Sequence, residues 1–311
     1  MTNYAVRRLL LAVPVVLVIS ILVFWSLYLV PGDPALVLLG ATHGGMAITP
    51  EVIKEAREKY GLNDPLYVQY VRWLRNIARG DMGTSLRTKR PVLSMIREQL
   101  PSTLELATVG MAIGTFVGLT LGIIAALKRD TWIDSVSMLT ALVGVSMPPF
   151  WFGFILIFIF ALTLGWFPAT GYGGLKRLVL PAITLGFALS AVVARLVRAN
   201  VIEVLTQDYI RTARAKGLVE RVILHRHVIK NVMIPVITIL GVQFGNLLSG
   251  TVIIEAVFAR QGIGRLLVDS ILDKDFPVVQ GLVLIWSTGY IITNVLVDLS
   301  YTVFDPRIRY E

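Results

Sequence analysis

Six apolar runs constrain this chain more than anything else in it: Leu9–Val30, Thr103–Leu127, Val136–Leu164, Leu178–Ala194 with a polar extension, Val232–Phe258 and Val278–Phe304. A hydrocarbon core of about 30 Å takes about 20 apolar residues of helix. An unpaired backbone group finds no water there, so only helices or closed barrels can span it. The runs predict an all-α integral membrane protein with six transmembrane helices. Composition agrees, with 16% charged residues, 55% hydrophobic ones and a mean hydropathy of +0.73, against about 25% charged in soluble domains. Disorder is thereby excluded. The absence of cysteine excludes a disulfide scaffold and a thiolate metal site. Arg7 and Arg8 precede the first run as they would in a secretory signal, but its 22 residues and the lack of an A-x-A-like site mark it as a span.

Three hydrophilic stretches separate the runs. In residues 31–100, Thr49-Pro50-Glu51 reads as N-cap, first-turn proline and acidic first turn of a helix that ends at Gly61. Asp64-Pro65 repeats the device. The following helix is expected to pack through Tyr67, Tyr70, Val71, Leu74, Ile77 and Ala78. Residues 195–231 are densely basic, and 255–277 carry a mixed-charge segment around Asp269–Asp275.

The net charge of +9 is read as cytoplasmic Lys and Arg held at anionic head groups, not as nucleic-acid binding. With the N-terminus inside, fourteen Lys and Arg fall on the inner side and fifteen on the outer. Ten of the outer ones belong to 31–100, a loop long enough to escape the positive-inside rule. Both termini are therefore expected in the cytoplasm.

Within the spans, Gly110, Gly114, Gly118 and Gly122 recur every fourth residue and predict one close-packed helix face. Pro148-Pro149 removes two helical donors from the third run, which is expected to break or kink. Gln243, Asn246, Asn294 and Asp298 are costly in lipid and should face protein or a water-filled path. With Ser146, Pro148 and Pro149, the residues Gln243, Asn246 and Asn294 are the candidate lining of such a path. No P-loop, H-E-x-x-H or G-x-S-x-G is present. His225 and His227 lack a third ligand nearby, and His43 stands in a Gly-rich loop. No catalytic, metal or cofactor site is expected.

Residues 207–235, QDYIRTARAKGLVERVILHRHVIKNVMIP, read as a helix-turn-helix. Asp208 opens a short helix with Ile210 and Ala213 on one side and Arg211, Arg214 and Lys216 elsewhere. Gly217 supplies a turn at positive φ, and a second helix over roughly Val219–Ile229 leads into the fifth span. A short helix with small residues suits a groove on a partner; a basic loop at anionic lipid is the other reading.

The stretch Tyr209-Ile-Arg-Thr-Ala-Arg-Ala-Lys-Gly217, followed by Arg226-His227 and Asn231, resembles the coupling loop of ABC-importer permeases, and most of all the first permease subunit of dipeptide and oligopeptide importers. Of the general E-A-A-x-x-x-G pattern it keeps Ala213 and Gly217, with Arg211 and Thr212 in place of Glu and the first Ala. The resemblance extends through Pro31-Gly-Asp-Pro34, Gly61-Leu-Asn-Asp-Pro65, Gly80-Asp-Met-Gly-Thr-Ser85, Pro101-Ser-Thr-Leu-Glu-Leu-Ala107, Ser146-Met-Pro-Pro-Phe150, Leu180-Pro181 and Asp305-Pro-Arg307.

The resemblance implies a type I importer permease fold. Residues 1–30 would hold the cytoplasmic N-terminus and first span, 31–100 an extracytoplasmic helical insertion, and 101–311 the permease core with a cytoplasmic coupling loop at 205–231. Asp208, Tyr209, Arg211, Thr212, Ala213, Arg214, Ala215 and Gly217 would contact an ATPase subunit. The implied partners are a second homologous permease, two cytoplasmic ATPase subunits holding ATP and Mg, an extracytoplasmic substrate-binding protein and the lipid bilayer. The implied site is a bacterial or archaeal cytoplasmic (inner) membrane. The cargo would be di- or oligopeptides, with glutathione, nickel chelates or oligosaccharides as alternatives on the same architecture. A secondary transporter driven by an ion gradient would instead need paired broken helices and charges at mid-membrane.

Overall fold

The structure is a computed structural model that describes residues 2–29, 32–43 and 49–304. Pro31, Asp305-Pro-Arg307 and the side chains of Arg7, Arg8, His43 and Asp298 lie outside the described residues. In chain order the helices are α1 (Thr2–Leu29), α2 (Pro34–His43), α3 (Pro50–Lys59), α4 (Leu66–Ala78), α5 (Val92–Leu127), α6 (Trp132–Ser146) and α7 (Pro149–Leu156). They continue as α8 (Leu175–Leu205), α9 (Asp208–Ala215), α10 (Glu220–Val222), α11 (Lys230–Val257), α12 (Ile263–Leu272) and α13 (Phe276–Phe304). Wider π-helical turns follow α7 over Ile157–Thr163 and join α10 to α11 over Ile223–Ile229.

Among the described residues, five helical stretches are each long and apolar enough to cross a membrane: Leu10–Leu29, Val92–Leu127, Leu175–Leu205, Glu220–Val257 and Phe276–Val295. The third apolar run is not one rod. It divides into α6 and α7, bent by 110°, because Met147 and Pro148 are extended and neither Pro148 nor Pro149 has an N–H to continue the ladder.

Two compact units divide the chain, one formed by residues up to Ser102 with Gly262–Val295, the other by Thr103–Gln261 and the chain from Leu296. In the first unit, Asp33 accepts from the Ala35 N–H at the start of α2 and from Arg57 of α3. The Arg57 guanidinium holds the Asp33 carboxyl below the usual carboxylate range. Thr49 is the extended N-cap of α3, as expected, and Pro50 its first helical residue. At α4 the expectation fails: Pro65, not Asp64, occupies the cap position.

Helix α4 turns only part of the anticipated face inward. Tyr70 meets α1 as expected, together with Trp73, and Leu74 and Ile77 are half-buried, but Tyr67, Val71 and Ala78 are exposed and Gln69 is buried in their place. The Gln69 amide accounts for the difference. It donates to the carbonyls of Leu62 and Asp64 and accepts from the Tyr28 hydroxyl, so it satisfies both the α3–α4 turn and α1. In the loop ahead of α5, the buried Asp275 carboxylate accepts from the Ser85 hydroxyl (2.5 Å) and the Leu86 N–H (3.0 Å). Helix α5 begins at Val92, well before the apolar run at Thr103, because Val92, Met95 and Ile96 bury one face with Ile263, Val278 and Leu282.

The second unit is centred on α8, whose buried face runs from Leu178 to Val201. The α5 glycines press against it. A Cβ added at Gly114 would stand 2.6 Å from the Gly186 carbonyl oxygen, at Gly118 2.7 Å from that of Ser190, and at Gly122 2.6 Å from that of Ala194. No side chain fits there, so the two backbones touch along three turns.

Candidate functional site

Helix α9 and its flanks form the clearest candidate. Asp208 is its first residue rather than its cap; Gln207 holds the extended cap position without a side-chain capping bond. The helix stops at Ala215, and Gly217 turns the chain at φ +78° with open space where a Cβ would stand. Ile210 is fully buried, and Ala213 joins it in one cluster with Ile223 and Val228. Ala213 therefore faces the chain's own core, which corrects its assignment to a partner-facing surface. Asp208, Arg211, Thr212 and Ala215 form the opposite stripe and are exposed. Two side-chain links hold the helix in place. Arg214 donates to both oxygens of Glu220 (2.7 and 3.3 Å), and the Asn231 amide donates to the Tyr209 hydroxyl (3.1 Å).

Of the candidate path residues, Ser146, Pro148 and Pro149 are exposed at the bend between α6 and α7. Gln243 and Asn246 of α11 are brought together, the Asn246 amide donating to the Gln243 carbonyl at 2.7 Å. Asn294 is half-buried on α13 and belongs to the other unit. Helix α7 packs on α11 closely enough that Gly153 lies against Phe258 and Val257. A separate cavity of about 300 Å³ in the first unit is lined by Phe24, Tyr28, Gln69, Trp73 and Gln280, among others, and by none of the expected path residues.

Two charged arrangements escaped the sequence reading. Arg260 is 1% exposed and Glu255 fully buried. Arg260 pairs with Glu105 and lies 4.9 Å over the Tyr172 ring, while the Thr103 hydroxyl donates to Glu255 at 2.6 Å. Asp134 of α6 takes a two-point bond from Arg198 of α8, 2.6 Å at each oxygen. Burial is what makes such pairs consequential, since a carboxylate or guanidinium taken from water persists only where it is matched. The available signal was the retention of Glu105 and Glu255 inside apolar runs.

The profile of the family described as "Binding-protein-dependent transport system inner membrane component" matches residues 118–310, and that of its N-terminal part, "Binding-prot-dependent transport system membrane comp, N-term", matches residues 1–107. The chain belongs to this family of ABC-importer permeases. It is similar to the dipeptide transport system permease protein DppB of Alkalihalophilus pseudofirmus, 39% identical over 338 aligned positions and 100% of both chains. It is likewise similar to the glutathione transport system permease protein GsiC of Escherichia coli strain K12, 41% identical over 311 positions and 100% of both chains. These relatives assign the permease to the dipeptide/oligopeptide branch and set the ion-coupled alternative aside. Among solved structures, an inward-facing form of the MetNI methionine ABC transporter matches with a TM-score of 0.59 at 15% identity, over 68% of this permease and 97% of that chain. An amino acid ABC transporter with histidines matches at 0.54 and 18% identity, over 68% and 94%. At such identities they bear on the fold alone, which is that of importer permeases. Membership makes the permease a multi-pass inner-membrane component of a transport system, with ATPase and substrate-binding subunits as partners.

Proposed function

We propose that this permease carries short peptides across the cytoplasmic membrane as half of a heterodimer with a second, homologous permease. Glutathione is itself a tripeptide, so the names of both relatives describe one chemical class of cargo. Of two ATPase subunits holding ATP and Mg, one would dock on α9 and the other on the second permease, and a binding protein would deliver cargo on the opposite side. Both termini would lie in the cytoplasm. Ser146, Pro148, Pro149, Gln243, Asn246 and Asn294 would contribute to the path. The chain has no P-loop, so hydrolysis belongs to the partner subunits and the isolated permease should turn over no ATP.

The observation that carries this reading is the division of α9 into two faces. Ile210 and Ala213 anchor it on its own chain, and Asp208, Arg211, Thr212 and Ala215 are left exposed as one stripe. A helix so seated transmits force in both directions instead of trailing as a loop.

The test uses the assembled transporter in vesicles. Arg211→Glu and Ala215→Glu place a carboxylate on the exposed stripe; a mismatched charge in a docking groove costs about 1–3 kcal/mol. Retention of ATPase subunits and ligand-stimulated hydrolysis should both fall several-fold. At Gly217 the cost is purely conformational. Gly217→Val at positive φ costs about 1–2 kcal/mol and should weaken coupling, whereas Gly217→Asn should be tolerated. Lys54→Glu, exposed on α3, is the comparison and should leave stimulation intact. Wild-type stimulation in both carboxylate variants and in Gly217→Val would return this segment to a basic surface loop.

A further inference from the structure

Helix α4 presents three distinct sectors around its circumference. Gln69, Tyr70 and Trp73 face α1, the Tyr70 hydroxyl lying 2.8 Å from the Ser20 oxygen and Phe24 making ring contacts with both aromatics. A second sector is apolar and largely uncovered, with Tyr67 72% and Val71 60% exposed, and half-buried Leu74 and exposed Ala78 continuing the stripe at intervals of three and four. A third carries Arg72, Arg75 and Arg79, all exposed. An amphipathic helix in water would cover its apolar stripe or lack one. This helix covers a neighbouring sector and leaves the stripe open.

Helix α1 sets the surroundings of that stripe. Leu10–Leu29 is long enough to span, and Ser20 stands halfway along it, with Phe24 about 6 Å and Tyr28 about 12 Å further on at 1.5 Å per residue. The bonds and ring contacts run from one turn of α4, at residues 69, 70 and 73, to three successive turns of α1, at 20, 24 and 28. That pattern belongs to a helix crossing α1, not one running alongside it. The crossing lies on the outer-numbered half of the span, within reach of acyl chains. Beside it, the α1 surface is itself apolar and exposed at Val18, Ile21, Leu22 and Trp25. The open stripe of α4 thus continues the exposed apolar face of α1.

We infer that α4 is an interfacial helix: Tyr67, Val71, Leu74 and Ala78 rest on lipid acyl chains, and Arg72, Arg75 and Arg79 stand at head-group phosphates. Apolar, cationic and protein-bound sectors in this order are what an interface between hydrocarbon and water selects. Charge complementarity favours lipid over a soluble partner, because three guanidinium groups flank the stripe on one side, and of these Arg72 is paired with Asp64 at 2.5 Å. The inference stands independently of the cargo and of α9.

The chain has no cysteine, so single cysteines at 67, 71, 75 and 78 can each carry a bimane fluorophore in the assembled transporter, in vesicles of phosphatidylethanolamine and phosphatidylglycerol. Lipids brominated on the acyl chain should quench positions 67, 71 and 78 at least about twofold more than position 75, and aqueous iodide should show the opposite order. Ala78→Cys is the smallest change and stands in if a larger one impairs assembly. Iodide quenching at 67, 71 and 78 as strong as at 75, without quenching by bromolipid, would overturn the inference. So would protection of those sites only when a liganded binding protein is added, which would make the stripe a protein-docking surface.

Discussion

Asp134 and Arg198 show what one residue pair contributes to this fold. Both guanidinium bonds are 2.6 Å, and the Asp130 N–H also donates to Asp134 at 3.2 Å. Asp134 is nearly buried and Arg198 partly so, with 7% and 28% of their side chains exposed. Losing one partner therefore strands a charge where water replaces it poorly. Asp134→Asn should cost about 1–3 kcal/mol, less than a fully buried pair would. Asp134→Arg should be worse, and the exchange Asp134→Arg with Arg198→Asp should recover part of the loss. Thermal unfolding of the assembled transporter over this double-mutant cycle measures the coupling. Additive losses with no recovery would mean that the two residues act separately.

At the scale of elements, the α5–α8 contact makes the sharpest prediction. A Cβ at Gly118 would lie 2.6 Å from the Val193 Cβ and 2.7 Å from the Ser190 carbonyl oxygen. Backbone cannot swing aside as a side-chain tip can, so Gly118→Ala should cost about 1–3 kcal/mol through overpacking. Gly289 of α13 has nothing within 4 Å of its would-be Cβ, and Gly289→Ala should leave the unfolding temperature unchanged. The glycine stripe was legible in the sequence because its period is that of a helix face. The break at Pro148 was legible too, since a missing donor is a local fact; its 110° angle was not. The inward face of α4 was misread in part because periodicity identifies an apolar stripe without saying whether protein or lipid covers it. Ala213 went to the wrong side for a related reason. A small residue beside Arg211 suits a groove on a partner or the chain's own core equally well, and only the burial beside Ile223 decides. The Glu105–Arg260 pair joins positions far apart in the chain, and no local spacing announces such a contact.

At the scale of the whole molecule, orientation is the property to test. Lys54→Cys on α3 should react with an impermeant thiol reagent on intact cells, and Lys216→Cys, beside α9, only after the membrane is opened. Both side chains are exposed in the chain, so access reports sidedness rather than burial, and the reverse pattern would invert the topology. The sidedness of α9 matters because of how α8 is held. Helix α8 touches the α5 glycines between Leu185 and Val197. That leaves about 15 Å of rod beyond the contact toward Leu175 and about 12 Å toward Leu205, where two residues connect it to α9. Bare backbone held against bare backbone over three turns leaves no slack between α5 and α8. A displacement delivered at α9 is therefore expected to carry the two helices together as one body.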